Sequence, residues 1–503
     1  MRLKQRSGLV LSLGMLGLAA LLPLQRVQAD DGFEGLQDFG QQVQRSLEQR
    51  SFLLFGVHKP LKESAPPTTG DYRMPDQKAQ DQIVLAKSLK AEYVTRQAAH
   101  NADQFAFWPS DEQPTHLLFC IEEFTPHKIG EYPSGVPKLT PGVQRIRLSD
   151  GAVDTILRGT AGCDGIRRTP WGTILATEEV DDGAAYEIMD PLDVTNLTVI
   201  NRATGAVIDV NGVPSAKVVK RTALPTLAWE GIGILPNGVV YLGDEERPGS
   251  AAPDSDGGAI YKFIPANPRT ESGPISALAQ SPLAAGNVYA MQVSCRTGRQ
   301  QYGQGCEVGH VAWIPVSAAD ARSDAHKAGA TGYYRPEDME LDPQYEGEGV
   351  RFCWAATGSA GSGQYAEVAC AVDRAPLTAD PRQQTVLVER FIEGDQDFNQ
   401  FDNLEFQPKT GNLYVIEDND NGDIFACLPD GDDRDIKSDG CVKILSVKDS
   451  SAEPTGFKFA LDGTTAYLSI QHSSDGKMPK VDDYPTDDIL KITGFQIPPH
   501  FRR

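Results

Sequence analysis

The sequence is poor in the residues that build soft-metal sites and nucleophilic triads. Its eight His form no His-x-His and no His-Glu-x-x-His pair, which disfavours a zinc hydrolase centre. Its eight Cys include no Cys-x-x-Cys, so a zinc ribbon or a thioredoxin-type redox site is disfavoured too. No Gly-x-Ser-x-Gly elbow occurs, which argues against an α/β-hydrolase nucleophile. Gly231-Ile232-Gly233-Ile234-Leu235-Pro236 lacks the third glycine of a dinucleotide fingerprint. Positive charge is scarce as well: 47 Lys and Arg face 69 Asp and Glu, a formal net charge of −22. Such a surface repels nucleic acid and anionic membranes. It also repels an anionic substrate, unless bound cations reverse the field locally.

Long apolar runs are absent beyond residues 8–24. That run follows Arg2, Lys4 and Arg6, and Val27-Gln28-Ala29 places small residues ahead of Asp30. The pattern is that of a secretory signal peptide over residues 1–29. The run is short for a membrane span, so no stable membrane insertion is expected; a retained anchor is the alternative. Without an Arg-Arg pair, the general secretory route is favoured. Cleavage after Ala29 would remove Arg2, Lys4, Arg6 and Arg26 and no acid, taking the charge from −22 to −26. A periplasmic or secreted monomer is the expectation. Export permits disulfides. Cys295/Cys306, Cys353/Cys370 and Cys427/Cys441 are locally spaced, while Cys120 and Cys163 are left to pair with each other, stay buried or bind metal.

What is abundant is turn chemistry: 48 Gly and 34 Pro favour many short strands over long helices. Residues 30–104 read differently, as a helical or irregular extension. Apolar spacing there suggests helices near residues 36–54 and 79–99, with a Pro-rich link between them. Residues 105–503 form one all-β domain. Within it a hairpin recurs: an acidic or amide start, an apolar strand, a turn, a second apolar strand and an acidic end, the copy at 454 having polar but uncharged ends. Copies start at 163, 229, 336, 402 and 454, in steps of 66, 107, 66 and 52 residues, and residues 116–123 make a sixth. A four-stranded propeller blade of ~40–50 residues with insertions fits those steps. The expected fold is a β-propeller; the repeat alone allows five to seven blades.

The hairpin ends carry Glu122/Glu123, Glu178/Glu179, Asp244/Glu245, Glu337/Asp338 and Glu417/Asp418, and Asp402 opens one copy. Carboxylates converging on one axis repel strongly unless cations lie between them. Oxygen donors select calcium, magnesium, manganese or ferric iron over zinc. Cys163 opens a copy, where its thiolate would be a soft donor to iron. Arg335 precedes the Glu337/Asp338 pair, and a guanidinium there suits a phosphate.

At these positions the chain resembles the PhoX family of secreted bacterial alkaline phosphatases. The resemblance is carried by residues 169–173 running to Glu178 and Glu179, by Glu230-Gly231, residues 256–263, Arg335-Pro336-Glu337-Asp338, and Asp402-Asn403 leading to Glu417-Asp418. It spans nearly all of the mature chain. It implies a six-bladed propeller with extra helices, a centre of iron and calcium with a cysteine on iron, and hydrolysis of a small phosphate monoester by an oxygen nucleophile held at the metals. Cys163, Glu178, Glu179, Glu230, Glu337 and Glu417 become the expected metal ligands. Asp244, Asp338, Asp402 and Asp418 join them by their place in the repeat, and Arg335 becomes the catalytic cation. Trp229 and Glu122 stand where the family has His, and Asp164, Arg167 and Arg168 where it has small residues, which marks a divergent branch. Read without the resemblance, the residues also admit another propeller hydrolase (a lactonase, diesterase or phytase-like enzyme) or a calcium-stabilised binding propeller.

Overall fold

A computed structural model describes residues 39–498 apart from 71, 251–256, 294–307, 381, 383–385, 430–439, 474 and 475. The expected signal peptide and the Cys295/Cys306 pair lie outside the described residues. The remaining strands gather into antiparallel hairpins because their apolar residues alternate with turn-rich breaks. Six of these strands, Ala102–Trp108, Cys163–Arg168, Trp229–Ile234, Pro336–Leu341, Phe401–Phe406 and Glu453–Phe459, are the inner edges of six blades. Each rests against the next, and the last rests against the first. That closure makes the molecule a six-bladed propeller with one central axis.

The blades are not equal. Blade one adds two outer strands, Leu197–Asn201 running parallel to Val153–Arg158 and Ala206–Ile208 beyond it. Blades three and four merge into one nine-stranded sheet, because Gly309–Val316 pairs with Val386–Glu393 at their outer edges. Blade five gains Ile83–Leu85 on its rim. Cys353–Cys370 and Cys427–Cys441 are disulfides, each across neighbouring strands of one blade.

The N-terminal extension corrects two expectations. Phe39–Phe55 is a helix, and Leu47 and Phe55 bury against blades five and six. The helix expected over residues 79–99 is confined to Ala79–Gln82, and Lys90–Ala99 is a strand. Tyr93, Val94 and Thr95 favour an extended backbone, and the edge of Thr486–Thr493 offers a full ladder of partners. Pairing of these two strands closes the ring with the two ends of the chain. The boundary expected at 104/105 therefore falls inside the inner strand of blade one.

A buried ionic knot fastens this seam. Asp488 takes ion pairs from Arg73 and from Arg96 (3.0 Å), and Gln82 Nε2 donates to its other oxygen at 2.5 Å. The Arg73 and Asp488 side chains are both fully buried. Asp488→Ala leaves a buried guanidinium without its carboxylate. We expect it to lower unfolding free energy by about 3–5 kcal/mol in denaturant titration.

Candidate metal centre

The inner strands share one local irregularity. The first residue pairs normally: Ala102 with Ile121, Cys163 with Glu178, Trp229 with Asp244, Pro336 with Ala356, Phe401 with Glu417. The next two residues have no partner, and pairing resumes at Phe105, Ile166, Ile232, Met339 and Leu404. A bulge of this kind bends the strand and re-aims a side chain. In all five blades the re-aimed residue is an acid: Asp103, Asp164, Glu230, Glu337 and Asp402. The neighbouring strand supplies the residue just past its end, which gives Glu122, Glu179, Glu245 and Asp418 in blades one, two, three and five. Blade four has Thr357 there, hydrogen-bonded to Glu337. Blade six contributes donors to the ring: Thr455 Oγ1 gives to Asp103 Oδ1 at 2.6 Å, and Gln471 Nε2 gives to Asp103 Oδ2 at 3.0 Å and Glu122 Oε2 at 2.9 Å.

Seven carboxylates fall into three overlapping groups. They are Asp103, Glu122 and Asp164; then Asp164, Glu179 and Glu230; then Glu230, Glu337 and Asp402. Within each group one oxygen per residue lies within 4.8 Å of the others. Asp164 and Glu230 each belong to two groups. Close approach of the inner strands makes this possible, and it needs glycine after the ligand. A Cβ on Gly165 would lie 2.4 Å from the Glu230 carbonyl oxygen, and one on Gly231 2.3 Å from the Met339 nitrogen.

Among the described residues, the one ion pair made by any of the seven is that of Glu337 with Arg335, at 3.1 Å. Burial first, and neighbouring carboxylates second, hold Asp164, Glu179, Glu230 and Asp402 well above the ordinary range. Glu337 is raised by burial too, against the pull of Arg335. Burial pushes Asp103 up to about 6 and Glu122 up to about 8. So dense an unneutralised set of hard donors fits multivalent cations such as calcium or ferric iron.

Not every expected ligand reaches this centre. Glu179, Glu230, Glu337 and Asp402 lie in it. Glu178, Asp244 and Glu417 sit one residue out of phase and turn away from the axis. Glu178 is taken up by Arg202 (2.8 Å), Ala161 N (2.8 Å) and Ala184 N (3.1 Å). Asp244 is gripped by Arg322 at 2.6 and 2.8 Å. Glu417 accepts from Asn399 N at 3.0 Å, and burial with Asp423 nearby pushes it up to about 8. Asp338 turns beneath the centre to Arg167 (2.6 Å) and Leu404 N (3.2 Å). Asp418 stays at the rim, 3.4 Å from Arg335.

Cys163 is the clearest departure. It opens the inner strand of blade two, faces the core and forms a disulfide with Cys120. Its sulfur is therefore not a thiolate ligand, and the neighbouring Asp164 takes the place at the axis. Asp103 and Asp164 are acids at the axis that the expected set lacked, and Glu122, expected there only as a hairpin end, joins them. Their signal was the phase of the hairpin: the acid after the first inner-strand residue, opposite the acid that follows the second strand. Arg335, with φ of 55°, reaches over the rim to Glu245, Glu337 and Asp418.

Comparison with known proteins gives one family. The model described as "Alkaline phosphatase PhoX" matches residues 134–474. Among solved structures, Pseudomonas fluorescens PhoX in complex with vanadate, a transition state analogue, is 16% identical. It aligns with a TM-score of 0.55, over 86% of this chain and 97% of that one. A putative oxidoreductase (glucose dehydrogenase) from Thermus thermophilus is 13% identical, with a TM-score of 0.41 over 80% of this chain and 99% of that one. No curated protein matches the chain.

The raised carboxylates set a pH dependence for chelator-treated protein. A folded-state value above the unfolded one means the fold is favoured at low pH and loses that advantage as pH rises. We therefore expect the melting temperature in EDTA to fall from the ordinary carboxylate range up to about pH 8, the window spanned by Asp103 and Glu122. Added calcium should restore most of the loss at the upper end, as followed by calorimetry.

Proposed function

The chain belongs to the alkaline phosphatase PhoX family and is a metal-dependent phosphatase of phosphate esters; from that premise we propose that its chemistry takes place at the carboxylate end of the ring. One observation carries this reading: three carboxylate groups joined through Asp164 and Glu230, with Arg335 beside the third. The seven acids are the metal ligands in this proposal, and calcium and iron are the cations they take. Both accept an all-oxygen donor set, and the Cys120–Cys163 disulfide is a brace outside it. When bound, such cations supply charge neutralisation at the phosphoryl oxygens and polarise the attacking water.

The chain's own groups do the rest. Arg335 presents three nitrogen-bearing edges at the rim, now shared among Glu245, Glu337 and Asp418. A phosphate monoester can replace Asp418 there and take two parallel hydrogen bonds from the edge formed by Nη1 and Nη2. The left-handed backbone of Arg335 keeps the guanidinium over the centre. Its charge is permanent, because the surrounding acids raise its pKa further. Donors already aimed at a developing negative charge lower the barrier without reorganisation.

Export belongs to the same proposal. Residues 1–29 act as a secretory signal, and three disulfides suit an oxidising compartment. No helix among the described residues is long and apolar enough to cross a membrane. We propose a periplasmic or secreted monomer.

Paired acids separate this reading from a generic acidic rim. Glu179→Gln should lower kcat/KM for p-nitrophenyl phosphate by about 10²–10³-fold and reduce bound metal by elemental analysis. Glu178→Gln, one residue away, should lower melting temperature and leave kcat/KM within about threefold. Equal losses in the two variants would reject the phase assignment. Arg335→Ala should lower kcat/KM by about 10²-fold or more with metal content intact.

A further inference from the structure

Beneath the three groups, the axis is closed by side chains from three different blades. Gln104 occupies the second bulge position of blade one and is buried. Its Nε2 donates to Asp164 Oδ1 at 3.0 Å and to Glu230 Oε1 at 3.1 Å. These are the two carboxylates shared between neighbouring groups. The amide has a defined direction, because Arg167 has donors only. Its Nη1 gives to Gln104 Oε1 at 2.6 Å, so both amide hydrogens must face the acids. Arg167 is itself fixed from below: its Nη2 gives to Asp338 Oδ1 at 2.6 Å and to the Met339 carbonyl at 3.1 Å, with Glu340 at 3.2 Å. Asp338 in turn accepts from Met339 N (2.7 Å) and Leu404 N (3.2 Å).

We propose that Gln104, oriented by Arg167, is a positioning residue that holds Asp164 and Glu230 in the geometry needed to be shared between adjacent cations. One oxygen of each carboxylate is steadied by the amide, and the remaining lone pairs stay directed at the groups on either side. The clamp acts before any cation arrives: it keeps two mutually repelling acids side by side. The inference rests on the reading of the carboxylate groups as the cation centre.

The test is calcium titration by calorimetry into chelator-treated full-length protein. Wild type comes first: absence of calcium binding there would reject the centre itself, before any variant is made. Gln104→Met removes both donors at similar volume, and Arg167→Lys keeps the charge toward Asp338 and Glu340 without the fork that reaches Gln104. Each should weaken calcium binding by about 10–100-fold, the usual effect of losing a partner behind a metal ligand. The double variant should be no weaker than Gln104→Met alone, because the two residues act as one chain. A merely structural role would lower the melting temperature in EDTA and leave the calcium isotherm in place. A wild-type isotherm in Gln104→Met overturns the proposal. If that variant does not fold, a wild-type isotherm in Arg167→Lys overturns it.

Discussion

Mutual repulsion among buried carboxylates is the constraint to which the rest of this molecule answers. Seven of them, five buried and two half-buried, crowd one axis in three overlapping groups, and burial makes the ionised forms costly. Such a set persists only if the backbone holds it and something positive fills it. The backbone part is a bulge repeated in five blades at the same step of the inner strand. Five independent hairpins thereby deliver one acid each to a common point, and no single loop has to be long or precise. The positive part is provided for by the carboxylates' hardness and number, and by Arg335 at the rim.

The same constraint accounts for where the other charges go. Acids that the alternation turns away from the axis are each matched by a cation or by backbone donors. Glu178 has Arg202, Asp244 has Arg322, and Asp338 has Arg167. The first links blade two to blade one, the second ties blade three to the helix Ala321–Ala328, and the third links blade four to blade two. Of the seven grouped at the axis, Glu337 alone has an ion pair among the described residues, and it shares that Arg335 with Glu245 and Asp418 at the rim. Charge balance thus separates the two sets, although they are adjacent in the chain and identical in type.

That adjacency explains how far the sequence could be read. Recurring hairpins, their glycines and their acidic ends were plain, and they implied a propeller with oxygen ligands at one mouth. The number of blades rested on resemblance. Which member of Glu178/Glu179 or Asp244/Glu245 faces inward depends on strand phase, and phase is read only when the two strands are aligned across the bulge. Cys163 and Asp164 show the consequence most sharply: neighbours in sequence, they point to opposite sides of one strand, one to a disulfide and one to the centre. Asp103 was hidden for another reason. Its strand lies where the N-terminal extension seemed to end, and Lys90–Ala99 carries a spacing that helices share. Long-range pairing with Thr486–Thr493 decided that segment, and nothing local records it.

The seam has a further consequence. Asp103 owes its fixed orientation to Thr455 and Gln471, which are translated 352 and 368 residues after it. A nascent chain therefore possesses no finished receptor until its final blade has been synthesised and has met the strand at residues 90–99. Ion capture comes at the end of assembly.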